Sequence, residues 1–393
     1  MNIINNATTL PEFVSTKVEQ HLEQLIYLPD SGKNLVVGKQ PNPEDIVLQS
    51  NDYLDLSNNE EINRCHADAI LTPQQSTFMS GVFLHDGDIK QVVEQRLSNF
   101  AHFSSCSLFQ SGWIANIALL QTICDQTTHV YIDFFAHASL WEGARTAGAN
   151  LHPFMHNNVR HFEKLVKRNG PGILIVDSIY STLGTIAPLK KMIEIAKQYG
   201  CAIVVDESHS LGTHGSQGAG LLQQLGLSHQ VDFMTASLAK AFAYRAGAVW
   251  CNNRTNEVIP YAAYPSIFSS TLLPSEICRI DATLDVIIHG DERRARLANN
   301  AKLLAKELQK IGFNIRSESH IVSLETGSES NTKKVRDFLE SKGVFGSVFC
   351  RPATTPTQNI IRFSINCSVT KQQIQRVVDV CKMAYQIEAF TFR

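Results

Sequence analysis

The sequence predicts an α/β fold: a large domain whose mostly parallel sheet is covered by helices, and a smaller α+β domain after it. Three observations predict this. The short apolar runs Leu174-Ile175-Val176 and Ile203-Val204-Val205 have the β-branched character of strands buried on both faces. Between them lies a helix that Pro188 opens and Gly200 closes, with Leu189, Met192, Ile193 and Ala196 on one face. Strand, helix and strand make a βαβ unit. After about residue 275 the alternation stops, and a long helical stripe is followed by mixed short elements.

The elements follow in order. Residues 11–27 read as an amphipathic helix starting after Pro11, and residues 28–60 as short, turn-rich and strand-like. Together they form an N-terminal segment, 1–60. Residues 61–275 form the large domain, where the runs 130–132, 233–236 and 246–250 join the same sheet. Residues 276–393 form the small domain, which can also take in part of the N-terminal segment. It begins with a helix whose stripe is Leu297, Ala301, Leu304, Leu308 and Ile311, ending at Gly312. A strand near 314–324, a helix over 332–342 and strands near 345–350 and 360–365 come next. The last helix opens on the capping-box pair Thr370 and Gln373, with Ile374, Val377, Val378 and Cys381 as its stripe. No internal repeat or low-complexity segment interrupts the chain.

Composition excludes several classes. In 393 residues, 35 Lys and Arg balance 37 Asp and Glu, so no basic face for nucleic acid or polybasic membrane binding is expected. At 44% hydrophobic and 18% charged, the chain is not a disordered one. No apolar run reaches the roughly 18 residues of a membrane span. Residues 1–10 are polar and show no secretory signal. The nine cysteines are scattered with no CxxC pair, which fits reduced thiols in the cytoplasm and suggests neither a disulfide framework nor a metal site.

In parallel sheets, ligands bind beyond the carboxyl ends of the strands, which directs attention to four segments. Asp206 follows a buried strand, and His209 lies three residues on; Asp206 is either a helix cap or a ligand-facing carboxylate. Lys240 ends the run Thr235-Ala236-Ser237-Leu238-Ala239 among small and apolar neighbours, where desolvation makes an amine nucleophilic. A lysine that forms a Schiff base, with an acidic partner for a pyridinium nitrogen, is what pyridoxal phosphate (PLP) requires. His137 follows another strand and is either a structural histidine or one that stacks on a ring. Ser111-Gly112-Trp113 opens a helix, as an ordinary N-cap or as a phosphate site. No GxGxxG follows a strand, which disfavours a nicotinamide enzyme.

Together these segments resemble the α-oxoamine synthases, PLP enzymes of fold type I. The resemblance runs through nearly the whole chain in the family's order. It begins at Ser50-Asn51-Asp52-Tyr53-Leu54 and passes through Ser111-Gly112-Trp113, His137, Asp177-Ser178-Ile179-Tyr180-Ser181 and Gly184. It continues through Ala187-Pro188-Leu189, Asp206-Glu207-Ser208-His209-Ser210 and Ser237-Leu238-Ala239-Lys240. Phe268-Ser269-Ser270 with Pro274, and Ile361-Arg362-Phe363-Ser364, complete it. The family implies that Lys240 holds PLP covalently and moves protons at the substrate α-carbon. It implies that Asp206 pairs with the pyridinium nitrogen, that His137 stacks on the ring, and that His209 and Ser178 contact its phenolic oxygen. Ser111, Gly112, Trp113 and Ser237 are the implied phosphate site. Ser269 or Ser270 is expected to reach the phosphate of a neighbouring subunit, which requires a homodimer. Arg362 resembles the group that binds the amino-acid carboxylate, and Asn51 is expected to bind substrate as well. Val82 and Phe83 read either as the wall of an acyl channel or as ordinary packing.

Departures narrow the branch. Thr77 replaces a family arginine in Gln75-Ser76-Thr77-Phe78-Met79-Ser80-Gly81, and Asp55 replaces a glycine. Both argue against the family's housekeeping members. The segments 131–137, 208–215 and 344–354 resemble the branch that makes α-hydroxyketone quorum-sensing signals. The expected activity is therefore a PLP-dependent acyltransferase. It joins a medium-chain acyl-CoA to a small amino acid, 2-aminobutyrate or S-adenosylmethionine, with loss of CO₂, to give an α-aminoketone autoinducer precursor. The alternatives are a housekeeping 2-amino-3-ketobutyrate or 8-amino-7-oxononanoate synthase, and a non-catalytic subunit of the same fold.

Overall fold

A computed structural model describes residues 10–72, 79–84 and 87–393. The Thr77 departure and residues 1–9 lie outside them. The strands are β1 (Ile46–Leu48), β2 (Ser105–Phe109), β3 (His129–Asp133), β4 (Asn150–Phe154), β5 (Ile173–Asp177), β6 (Ala202–Asp206), β7 (Phe233–Ser237), β8 (Gly247–Cys251), β9 (Ile321–Gly327), β10 (Val344–Phe349) and β11 (Asn359–Ser364). Seven form one sheet in the order β2-β8-β7-β6-β5-β3-β4. Every strand in it is parallel to the rest except β8, which runs antiparallel to β7 and β2. The cause is chain length. A parallel crossover needs about a dozen residues or more, and too few lie between Ser237 and Gly247. The chain therefore turns straight back, and this short return loop carries Lys240.

Helices cover both faces of the sheet, so β5 and β8 are buried along their whole length. The helix Leu189–Gln198 buries Leu189, Met192, Ile193 and Ala196, the stripe read from the sequence. It ends just before Gly200, whose φ of 67° lets the chain turn back toward β6.

The second sheet has the order β1-β10-β11-β9. Its first strand is N-terminal: Ile46 pairs with Val344 in parallel register. That pairing draws the segment after residue 45 into the small domain and places residues 50–54 between the two sheets. The helix Asp291–Ile311 buries Leu297, Ala301, Leu304 and Leu308 and ends at Gly312 in the left-handed conformation. The last helix, Lys371–Tyr385, has the capping box of Thr370 and Gln373.

Two sequence readings meet a different outcome. The strand expected near 314–324 begins later, as β9 at Ile321–Gly327. A helix does form at Glu12–His21 and widens into π-type turns over Leu22–Tyr27, but none of its residues is buried. Phe13 is 78% exposed. The periodicity is that of an amphipathic helix, but among the described residues its apolar side chains stay half-buried or exposed. Among the described residues, no helix is long and apolar enough to cross a membrane.

Candidate active site

The site is assembled from strand ends. Asp206 is the last residue of β6 and is buried. Its Oδ1 accepts the Ser208 N–H at 2.8 Å and its Oδ2 accepts Asn116 Nδ2 at 2.9 Å. The same amide donates to Ser139 Oγ at 2.9 Å, and Ser139 Oγ lies 2.7 Å from His137 Nδ1. Asn116 can only donate through its NH₂ group, so the Ser139 hydroxyl proton is free for Nδ1. The Ser139 N–H also donates to Nδ1, at 3.3 Å. His137 therefore carries its own proton on Nε2. The chain Asp206–Asn116–Ser139–His137 fixes the carboxylate and the imidazole relative to each other.

The His137 ring opens onto the cleft with Trp113 edge-on to it, centroids 6.1 Å apart. Crowding by the protein lowers its pKa, Asp206 opposes that, and Lys240 reinforces it. Its loop is anchored by Asp133, which accepts the Phe135 and Asn157 N–H groups at 2.8 Å each. On the adjacent strand, burial pushes Asp177 well above the usual carboxylate range, and the Asp206 charge pushes the same way.

Lys240 follows β7 in the return loop. Its amine makes no hydrogen bond or ion pair within the described residues. Burial lowers its pKa, the Arg362 guanidinium lowers it further, and Asp206 opposes both. Ser237 ends β7: its N–H donates to Ser208 Oγ at 2.7 Å, and its own Oγ accepts from Ala239 N–H at 3.3 Å. Ser111 caps the helix Gly112–Ile123 by accepting the Ile114 N–H. Two glycines let this helix start lie on the sheet. A Cβ on Gly112 would come within 2.5 Å of the Ser237 Cβ, and one on Gly247 within 2.2 Å of the Ser111 carbonyl. The first N–H groups of the helix, at Gly112 and Trp113, have no preceding turn to bond and suit an anion. Gln110 Nε2 donates to Ser269 Oγ at 3.1 Å and to the Ser270 carbonyl, so both exposed serines border the same helix start.

Arg362, on β11, approaches from the small domain. Its Nη1 donates to the Ser181 carbonyl at 2.8 Å and its Nη2 to Asn51 Oδ1 at 2.9 Å, while Nε has no partner. The guanidinium lies 4.5 Å from the Phe349 ring centroid. It is 4% exposed and has no carboxylate within ion-pair distance among the described residues. An unpaired buried charge costs several kcal/mol, so an incoming carboxylate would be held strongly.

Other sequence candidates sit differently. Ser178 is fully buried, its hydroxyl against Ser210 Oγ at 2.7 Å and the Asp206 carbonyl at 3.1 Å. His209 is buried behind the cleft, with Nδ1 2.7 Å from the Tyr53 hydroxyl. Val82 and Phe83 lie in the turn Gly81–Phe83, beside the Ser80–Ser270 bridge. Phe83 is largely exposed, like Tyr264 and Phe268 of the helix Tyr264–Phe268 that packs near this turn. Asn116, Ser139 and Tyr53 were not singled out from the sequence. Asn116 had a signal: it is the one polar residue between Trp113 and Leu120.

PLP fits this donor set. A half-buried amine with no partner among the described residues, a buried carboxylate, an imidazole open to the cleft and a bare helix N-terminus converge where the strands end.

Glu207, beneath the site, yields a prediction. It is fully buried; Oε1 accepts the Leu222 N–H at 3.2 Å, and Oε2 has no partner. Burial pushes its pKa from 4.5 up to about 7. Between those values the folded chain keeps a proton that the unfolded chain has lost, so stability falls as pH rises through that window. Compared with Glu207→Gln, the wild type is expected to lose about 2–3 kcal/mol between pH 5 and pH 8. Urea unfolding of both proteins at both pH values measures it. A constant gap between them would contradict the buried carboxyl.

Comparisons with known proteins follow the same lines. Residues 43–380 match the family described as aminotransferase class I and II. A CAI-1 autoinducer synthase of Vibrio campbellii is 54% identical over 376 residues, 96% of each chain. A serine palmitoyltransferase of Sphingomonas paucimobilis is 31% identical over 79% of this chain and 74% of its own. A solved serine palmitoyltransferase from S. paucimobilis, with PLP and myriocin bound, superposes with a TM-score of 0.84 at 25% identity, covering 95% of this chain and 96% of that one.

Proposed function

The chain belongs to the class I and II aminotransferase family and, within it, to the PLP-dependent α-oxoamine synthases, and from that premise we propose that it condenses a medium-chain acyl-CoA with a small α-amino acid. A carbon–carbon bond forms between the amino-acid α-carbon and the thioester carbonyl. The carbon–sulfur bond breaks, CoA leaves as the thiol, and the carboxylate is lost as CO₂. The α-aminoketone left behind is the precursor of an autoinducer, the class of product that the Vibrio relative's name describes.

PLP supplies the electron sink that makes the α-carbon acidic. The rest falls to the chain's own residues. Lys240, with its lowered pKa, is the base that takes the α-proton and the acid that returns it. With PLP bound, Asp206 would hold the proton on the pyridine nitrogen, His137 would cover the ring and His209 would neighbour the phenolic oxygen. Gly112 and Trp113 offer N–H groups to the phosphate, with the Ser237 hydroxyl beside them. Ser178, whose hydroxyl is spent on Ser210, supports the Asp206–His209 turn from below. Arg362 takes the substrate carboxylate, with Asn51 holding one arm of the guanidinium. In this reading the active protein is a homodimer. Ser269 or Ser270, which border the helix start of their own chain, reaches across to the partner's phosphate, and the exposed rings of Phe83, Tyr264 and Phe268 lie at the contact.

The observation that carries the reading is the pairing of an unpartnered Lys240 amine with an unpaired, buried Arg362 in one cleft. Arg362→Lys replaces a planar fork with a point charge. We expect the KM for the amino acid to rise about a hundredfold and the KM for acyl-CoA to stay within about twofold. Equal changes in both would remove Arg362 from the carboxylate site. Substrate choice is tested by the mass of the ketone formed from a panel of acyl-CoAs and amino acids. A product from acetyl-CoA and glycine, or from pimeloyl-CoA and alanine, in preference to medium-chain thioesters would replace this reading with a housekeeping one.

A further inference from the structure

Tyr53 reaches the site from the N-terminal segment and is fully buried. Its position is tightly set. The Cys367 N–H donates to its carbonyl at 2.9 Å, its own N–H donates to the Asn51 carbonyl at 2.9 Å, and the His320 ring lies edge-on with centroids 4.0 Å apart. The hydroxyl has two neighbours, His209 Nδ1 at 2.7 Å and Asn51 Oδ1 at 3.2 Å. A phenol has one proton to give. Asn51 Oδ1 already accepts the charged Arg362 Nη2 at 2.9 Å, and the histidine contact is the shorter one. Burial raises the Tyr53 pKa and lowers that of His209 well below its ordinary value, so a neutral phenol faces a neutral imidazole.

We infer that Tyr53 is a positioning residue: it donates its O–H to Nδ1 of His209 and thereby fixes that ring as the Nε2–H tautomer. The nitrogen that Tyr53 does not touch then carries a donor. A donor there favours an anionic oxygen, whereas the other tautomer would present a lone pair and repel it. The same logic already places the proton of His137 on Nε2. Arg362 contributes by drawing on Asn51 Oδ1 through the shorter bond, 2.9 Å against 3.2 Å, so that oxygen is the weaker competitor for the Tyr53 proton. The carboxylate side of the cleft and the cofactor side are thus joined through Arg362–Asn51–Tyr53–His209. The consequence for catalysis rests on the proposed role of His209 at the phenolic oxygen; the tautomer does not.

The test is ¹⁵N NMR of histidine-labelled protein, with and without PLP, with His209 assigned by its loss in His209→Asn. The wild type is expected to show the Nε2–H form of His209 in both states. Tyr53→Phe is expected to raise the share of the Nδ1–H form by up to about tenfold. Asn51→Ala, which removes the competing acceptor, is expected to keep the Nε2–H form. In the kinetics, Tyr53→Phe lowers kcat and leaves the KM of the amino acid unchanged. A wild type in the Nδ1–H form would overturn the inference, a result that does not depend on any variant folding. So would an unchanged tautomer ratio in Tyr53→Phe, or a switch to Nδ1–H in Asn51→Ala. A wild type that releases no CoA but shows the Nε2–H form would sink the function and leave the inference standing.

Discussion

Replacing Lys240 with alanine is expected to cut CoA release by at least about a thousandfold while the protein stays folded. Proton transfer by a positioned side chain contributes about 10²–10⁴ in rate, and Lys240 is the amine placed for it. The buried carboxylates near it are committed: Asp206 to Asn116 and Ser208, Asp177 to the His137 N–H. Neither can take over. The fold has little to lose, because the amine makes no hydrogen bond or ion pair among the described residues and its burial opposes its charge. The midpoint of thermal unfolding is therefore expected to hold or rise. PLP added to Lys240→Ala should bind reversibly and wash out on dialysis, where the wild type retains it. Thiol release, a melting curve and the visible spectrum after dialysis measure these three effects. A variant that keeps more than a tenth of the wild-type rate would remove Lys240 from the chemistry.

The second large effect belongs to Asp206. Asp206→Asn is nearly isosteric and keeps one oxygen, enough for the Ser208 N–H or for Asn116 Nδ2 but not for both. It also removes one buried negative charge. Breaking a buried charge pair from one side costs about 3–5 kcal/mol, which amounts to roughly 10²–10⁴ in PLP affinity, in rate or divided between them. Titration with PLP and thiol release at saturating PLP separate the two. An affinity and a rate both within about threefold of the wild type would mean that the carboxylate does not face the cofactor nitrogen.

Much of the fold was legible because local sequence periodicity decides it. The helix Leu189–Gln198 buries the four side chains read from its spacing, and the capping box at Thr370 forms. Position at strand ends was legible too, since an apolar run followed by Asp206, Ser237 or His137 can only place those residues at one edge of a parallel sheet. What depends on register and on distant partners was not legible. Ser178 reads like a cleft residue, but it is fully buried, with its hydroxyl between Ser210 Oγ and the Asp206 carbonyl. Tyr53 and His209 are 156 positions apart, and only the folding of the N-terminal segment between the two sheets brings them to 2.7 Å. The helix at Glu12–His21 shows the converse: its apolar face was read correctly as periodic, but periodicity does not say what covers it. A second copy of the chain is the cover that the proposed dimer would supply.

The central claim is that this cleft joins an acyl thioester to an amino acid. The most direct measurement follows free thiol when the PLP-loaded wild type meets a medium-chain acyl-CoA, with and without a small α-amino acid such as 2-aminobutyrate. The predicted result is thiol release only when both substrates are present, matched mole for mole by a ketone whose mass equals acyl group plus amino acid minus CO₂. Thiol release without the amino acid, or none from any medium-chain thioester, would contradict it.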